Sequence, residues 1–187
     1  LRKDQLILGV LEAAKLIRST DFVIIGSQAV HGTFPDPPVD AVARSIDVDL
    51  FPIDYRESMF VPMHAELGFE SEFFDKHGFY VEIVRPVLPR FPAGWRERAT
   101  TQVAGIIEIA GEQREVRIIF PEIHDLAASK LAIGRDQDKD FIRGIVALGL
   151  VQRDILEQRI REAPRTSLER IEEALQDIDA AFSSIPP

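Results

Sequence analysis

The chain has no cysteine among its 187 residues. Disulfides, thiolate metal sites and cysteine nucleophiles are therefore excluded, and the composition fits a reducing, cytoplasmic setting. No apolar run approaches the ~20 residues a membrane-spanning helix needs. The start, Leu1-Arg2-Lys3-Asp4, lacks the layout of a signal peptide, and the missing initiator Met suggests trimming. A basic excess is absent too. Lys and Arg number 22 against 31 Asp and Glu, for a net charge of −9. That argues against a general nucleic-acid coat protein. The deficit is uneven: residues 1–84 carry 7 basic and 14 acidic side chains, residues 85–150 carry 10 and 9, and residues 151–187 carry 5 and 8. A polyanion would meet the middle third first. No repeat or low-complexity tract interrupts the chain.

What is present is a soluble globular composition, 45% hydrophobic and 28% charged, long enough to bury a core without staples. Apolar residues at helical spacing predict a helix over 4–19. The run Phe22–Ile25 predicts a buried strand ending at Gly26-Ser27, with a short helix over 27–30. Strict alternation over Ile46–Phe51 predicts a second strand. Residues 55–67 and 71–77 read as helices, the first interrupted by Pro62, and Phe79–Val84 as a third strand. Val103–Ile109 and Val116–Phe120 read as a hairpin across Gly111-Glu112-Gln113. Helices follow over 121–133, 136–148 and 151–162. A last one opens with a capping box, Thr166-x-x-Glu169, and shows one apolar face from Leu168 to Phe182. The Pro-rich stretches 34–39 and 86–92 read as loops. The pattern is a mixed sheet followed by a helical tail, divided as residues 1–150 and a packed extension over 151–187.

Asp47 and Asp49 are the most informative pair. Residues i and i+2 of a strand share a face, so two carboxylates stand side by side where like charges repel. A hard divalent cation with oxygen ligands would relieve them; an exposed polar strand face is the plainer alternative. Upstream, the strand–Gly26–Ser27–helix turn lets backbone approach a phosphate closely. The four histidines have no metal-ligand spacing, and His31 reads as an exposed loop residue. Trp95, among Arg90, Arg96 and Arg98, reads either as a loop anchor or as a stacking platform for a base.

Val23–Val30 followed by Ser45–Phe51 resembles the nucleotidyltransferase fold of the DNA polymerase β type. His124-Asp125-Leu126-Ala127-Ala128-Ser129-Lys130-Leu131, Gly134-Arg135-Asp136-Gln137-Asp138 and Gly94-Trp95-Arg96-Glu97-Arg98 are similar to segments of nucleotidyltransferase-like proteins of the DUF6036 type and of AbiEii-type toxins. The resemblance implies an α+β nucleotidyltransferase fold, a mixed β-sheet flanked by helices with a C-terminal helical extension. It implies transfer of a nucleoside monophosphate from an NTP, with Mg²⁺ or Mn²⁺ held by Asp47, Asp49 and Glu82 (Glu108 being the rival third acid). Gly26 and Ser27 would cradle phosphates. Lys130 and Arg135 would neutralise the triphosphate, and Asp138 would orient one of them. An RNA acceptor such as tRNA, a toxin–antitoxin or phage-defence setting and an antitoxin partner follow from the same resemblance. Gln137 stands where the family pattern has Lys. With a doubtful third acid, that leaves a non-catalytic nucleotide-binding module as the alternative, and transfer to a protein or an antibiotic hydroxyl as a third reading. A large open acidic pocket would favour a cationic acceptor over RNA.

Overall fold

The structure is a computed structural model, and residues 1–34 and 45–184 are described. Residues 35–44, and with them most of the Pro-rich stretch 34–39 expected to be a loop, lie outside the described residues. Among the described residues no helix is long and apolar enough to cross a membrane.

The elements run α1 (Lys3–Ile17), β1 (Asp21–Ile24), a 3₁₀ helix (Ser27–Gly32), β2 (Asp47–Pro52), a second 3₁₀ turn (Glu57–Met59), α2 (Phe60–Leu67), α3 (Glu72–His77), β3 (Tyr80–Ile83), α4 (Trp95–Arg98), β4 (Thr100–Ile109), β5 (Glu112–Phe120), α5 (Ile123–Ile133), α6 (Asp136–Ala147), α7 (Arg153–Arg161) and α8 (Leu168–Ser183). The strands form one sheet in the order β3-β2-β1-β5-β4. β1 runs antiparallel to β2 and parallel to β5. β2 and β3 are parallel, and β4 and β5 form an antiparallel hairpin. This is the mixed sheet with flanking and C-terminal helices expected of a nucleotidyltransferase fold.

Strand alternation separates two faces. Phe22, Ile24, Val48, Leu50, Val81 and Ile83 enter the main core with Leu6, Val10 and Met63 from α1 and α2. Val23 and Phe51 point the other way, into a small cluster with Phe91 that Trp95 borders. Asp47, Asp49 and Glu82 share that second face, because they sit out of phase with the core-facing residues. Leu156, Ile160, Ala174 and Ile178 of α7 and α8 belong to the same main core cluster as the sheet residues.

Four local expectations are corrected. The hairpin turn is Ala110-Gly111, both at positive φ (54° and 84°). That is the geometry of a two-residue turn matched to strand twist, so Glu112 and Gln113 are already in β5. Pro62 does not interrupt its helix: it lies in the first turn of α2, where its missing N–H costs no helical bond. The last helix is capped by Ser167, whose hydroxyl accepts from the Arg170 N–H at 3.1 Å, while the Thr166 hydroxyl donates to the Pro164 carbonyl at 3.2 Å. This one-residue shift leaves Leu168 in the first turn and exposed. His31 is buried rather than exposed, with Nε2 3.0 Å from the Leu1 carbonyl oxygen.

Because α7 shares the main core, Ile160→Ala is expected to destabilise the whole chain by about 3 kcal/mol in a single denaturant transition. Two separated transitions, with only the second shifted, would show that the C-terminal helices fold apart from the sheet.

Candidate active site

The site begins where β1 ends. Gly26 has φ 69° and ψ −161°, a conformation essentially reserved for glycine. A Cβ placed there would overlap Asp49 Oδ2. Glycine therefore permits the close approach of the β1 turn to the β2 carboxylate, while the Ile25 N–H donates to the Asp49 carbonyl at 2.9 Å.

Asp47 and Asp49 line one wall of a cavity of about 910 Å³, joined by Glu82. The parallel register sets Glu82 beside Asp49 and Tyr80 beside Asp47. The Ser45 hydroxyl donates to Asp47 Oδ1. Protein closes around the Asp49 carboxylate; burial first, then Asp47 and Glu82, push its pKa up to about 7 from 3.8, while Lys130 and Arg135 pull it back. Among the described residues no three His, Cys, Asp or Glu side chains form a group able to hold one metal ion. Asp47 and Asp49 nonetheless suit a hard divalent cation that takes one or two carboxylates and completes its shell with water and phosphate oxygens. They offer oxygen donors only, and Asp49 is a half-buried carboxylate opposed by like charges. Glu108, the rival third acid, lies in β4 at the far edge of the sheet and is not part of the cavity wall. Ser27 lines the cavity beside Gly26.

The opposite wall is α5 and the start of α6. Ten of the eleven α5 residues are buried, so its polar side chains need partners. His124 Nδ1 donates to Glu122 at 2.7 Å and its Nε2 accepts from the Gln152 N–H at 2.8 Å. Asp125, fully buried, accepts a bidentate pair from Arg98 at 2.8 and 2.9 Å and faces Arg159 at 3.3 Å. Ser129 Oγ accepts from the Arg90 N–H at 2.9 Å. Lys130 Nζ donates to Asp138 Oδ1 at 2.9 Å and lies 4.8 Å from the centre of the Phe141 ring. Arg135 closes a fork on the same carboxylate at 2.9 and 3.2 Å. Burial pushes the Asp138 carboxyl up, but Arg135 and Lys130 outweigh it and hold the pKa below the usual range. Asp138 thus positions both cations from 2% exposure.

The structure brings Gly26, Ser27, Asp47, Asp49, Glu82, Lys130, Arg135 and Asp138 to one cavity. It adds Arg90, which sequence reasoning had grouped only with Trp95. Its Nη1 donates to the Ala132 carbonyl at 2.8 Å, and it lines the cavity without a carboxylate partner among the described residues. Proximity of Arg90 to α5, 39 residues on, left no trace in spacing. Trp95 instead packs on Phe91 with ring centres 4.7 Å apart and carries Arg96 at 5.4 Å from its own ring centre, which favours the loop-anchor reading.

The model of one family, described as a nucleotidyltransferase of unknown function (DUF6036), matches residues 5–185. The chain belongs to this nucleotidyltransferase-like family. No curated protein and no solved structure matches it. The match extends through α7 and α8.

Two outcomes follow from the charges. Asp49 with a raised pKa costs nothing below about pH 4, and the penalty grows as pH rises toward 7. Asp49→Asn should therefore stabilise the metal-free protein by up to about 4 kcal/mol at pH 8, a gain that vanishes near pH 4. A pH-independent gain in chemical denaturation would refute the buried-charge account. Asp125→Asn should cost about 3 kcal/mol, because Arg98 and Arg159 lose their shared carboxylate. A loss under about 1 kcal/mol would show the hub to be dispensable.

Proposed function

We propose that the chain transfers a nucleoside monophosphate from an NTP to an acceptor hydroxyl, with Mg²⁺ or Mn²⁺. The observation that carries this reading is a carboxylate wall, Asp47 and Asp49, facing a cationic wall, Lys130, Arg135 and Arg90, across a cavity of about 910 Å³. Such an arrangement matches a substrate whose anionic phosphates need cations on two sides.

Asp47 and Asp49 would hold the metal, which when bound polarises the α-phosphate and the attacking hydroxyl. The other roles fall to the chain itself. Gly26 and Ser27 give phosphate oxygens a close backbone approach. The acceptor oxygen bonds to the α-phosphorus as the bond to pyrophosphate breaks, and pyrophosphate leaves with the bonding electrons. Lys130 and Arg135, aimed by Asp138, stabilise that departing charge. Glu82, exposed and beside Asp49 in register, takes the hydroxyl proton.

An RNA 3′ end such as tRNA, a cognate antitoxin and a defence setting enter through the resemblance and are arms of the same test. A non-catalytic nucleotide-binding module is the second reading. It is favoured by the lack of a three-ligand group among the described residues and by Gln137.

The test incubates the protein with each α-³²P-labelled NTP, Mg²⁺ or Mn²⁺, and total tRNA, protein or small-molecule acceptors. Label should pass to one acceptor class and fall at least about a hundredfold in Asp47→Ala/Asp49→Ala. NTP binding by calorimetry without transfer in any arm would sustain the module instead.

A further inference from the structure

Two large apolar side chains stand uncovered in the cavity. Leu88 is 57% exposed and Ile133 39%, and both line the cavity that Arg90, Lys130 and Arg135 also line. Exposed hydrocarbon of this size stays hydrated until something apolar covers it. Neither residue is a loose end. Leu88 lies on a turn closed by its own N–H, which donates to the Arg85 carbonyl at 2.9 Å. Arg165, between α7 and α8, donates to the Val87 carbonyl and to the Pro89 carbonyl, the latter at 3.3 Å. On the other side, the Arg90 N–H donates to Ser129 Oγ at 2.9 Å and Arg90 Nη1 to the Ala132 carbonyl at 2.8 Å. Ile133 is the residue after Ala132. Gly134 closes α5 directly behind it, with its N–H on the Lys130 carbonyl at 2.8 Å.

The two bonds of Arg90 join the Leu88 turn to the last turn of α5. They bring both apolar side chains to the stretch of wall where Arg90 itself stands, a cation with no carboxylate partner among the described residues. Val84 and Pro89 extend the apolar surface. Neither a divalent cation nor a chain of phosphates has any use for such a surface, since both are best served by charge and water. A nucleotide carries an anionic chain and a flat ring of low polarity on one molecule. Fixed hydrocarbon beside a cation therefore suits its second half as the charged walls suit its first.

We infer that Leu88 and Ile133 form the nucleobase subsite for the NTP, and that this subsite favours purines over pyrimidines. The larger ring system covers more of both side chains, and apolar contact strengthens with the area removed from water. Both side chains are hydrocarbon, so they select by surface and size. The base takes no part in bond making. Its binding serves to hold the triphosphate in place against the carboxylate wall. The inference rests on the nucleotidyl-transfer reading and assigns the end of the substrate which that reading leaves open.

The experiment compares ATP, GTP, CTP and UTP with ribose 5-triphosphate, which keeps the sugar and phosphates but has no base. Each is titrated by calorimetry into the full chain with Mg²⁺. ATP and GTP should bind at least about tenfold more tightly than ribose 5-triphosphate, and several-fold more tightly than CTP and UTP. Leu88→Ser/Ile133→Ser replaces exposed side chains only. It should bring all four NTPs to the affinity of ribose 5-triphosphate, and leave that affinity within about twofold of the original. Leu88→Met, which keeps the apolar surface, should retain the purine preference. Equal binding with and without a base, no purine advantage, or a double variant that weakens NTPs and ribose 5-triphosphate alike overturns the inference while leaving nucleotidyl transfer standing. No binding of any triphosphate overturns the reading beneath it as well.

Discussion

Asp49 is the constraint around which the site is arranged. Its carboxylate is closed in by protein, beside Asp47 on its own strand and Glu82 on the next, and both neighbours oppose its ionisation. Ordinary design would pair such a group or replace it. The cations that act on it, Lys130 and Arg135, are both engaged by Asp138. The charge is left to be balanced from the cavity that Asp49 lines. The features around it serve that placement: Gly26 without a Cβ, the 3₁₀ turn that follows, and the parallel β2–β3 register.

The α5 motif shows how a polar segment can be mostly architectural. Of His124, Asp125, Ser129 and Lys130, only the last lines the cavity with its charge. His124 ties α5 to the start of α7 and Asp125 ties it to Arg98 and Arg159. Ser129 holds the backbone of Arg90. Together these bonds fix the 85–98 segment against α5 and so set where Arg90 and Phe91 stand as cavity wall. The Gly94–Arg98 and His124–Lys130 segments, similar in sequence to the same family, are thus joined by the Arg98–Asp125 fork rather than by shared contact with a ligand.

Much of this was legible in the sequence because it rests on local rules. Period-two alternation located Asp47, Asp49 and their face; Gly26 marked a turn no other residue could make; Lys130, Arg135 and Asp138 lie within nine residues and meet across one helix junction. What escaped reading depends on distance along the chain. Arg90 reaches α5 from 39 residues away, and Arg98 reaches Asp125 across 27. The α2–α3 turn holds Glu70 at a positive φ without the glycine that would announce it. The Ala110-Gly111 turn and the Ser167 cap were displaced by small steps for the same reason, since neighbouring residues offered equally good local chemistry.

The most direct measurement is calorimetric titration of Mg²⁺ and Mn²⁺ into the protein at pH 6 to 8 in buffers of differing ionisation enthalpy. If Asp49 retains its proton to about pH 7, cation binding near that pH must release a proton in part, and Asp49→Asn must lose both the release and most of the affinity. Binding with no proton release, or binding unchanged in Asp49→Asn, would contradict the claim that this carboxylate is kept for a cation.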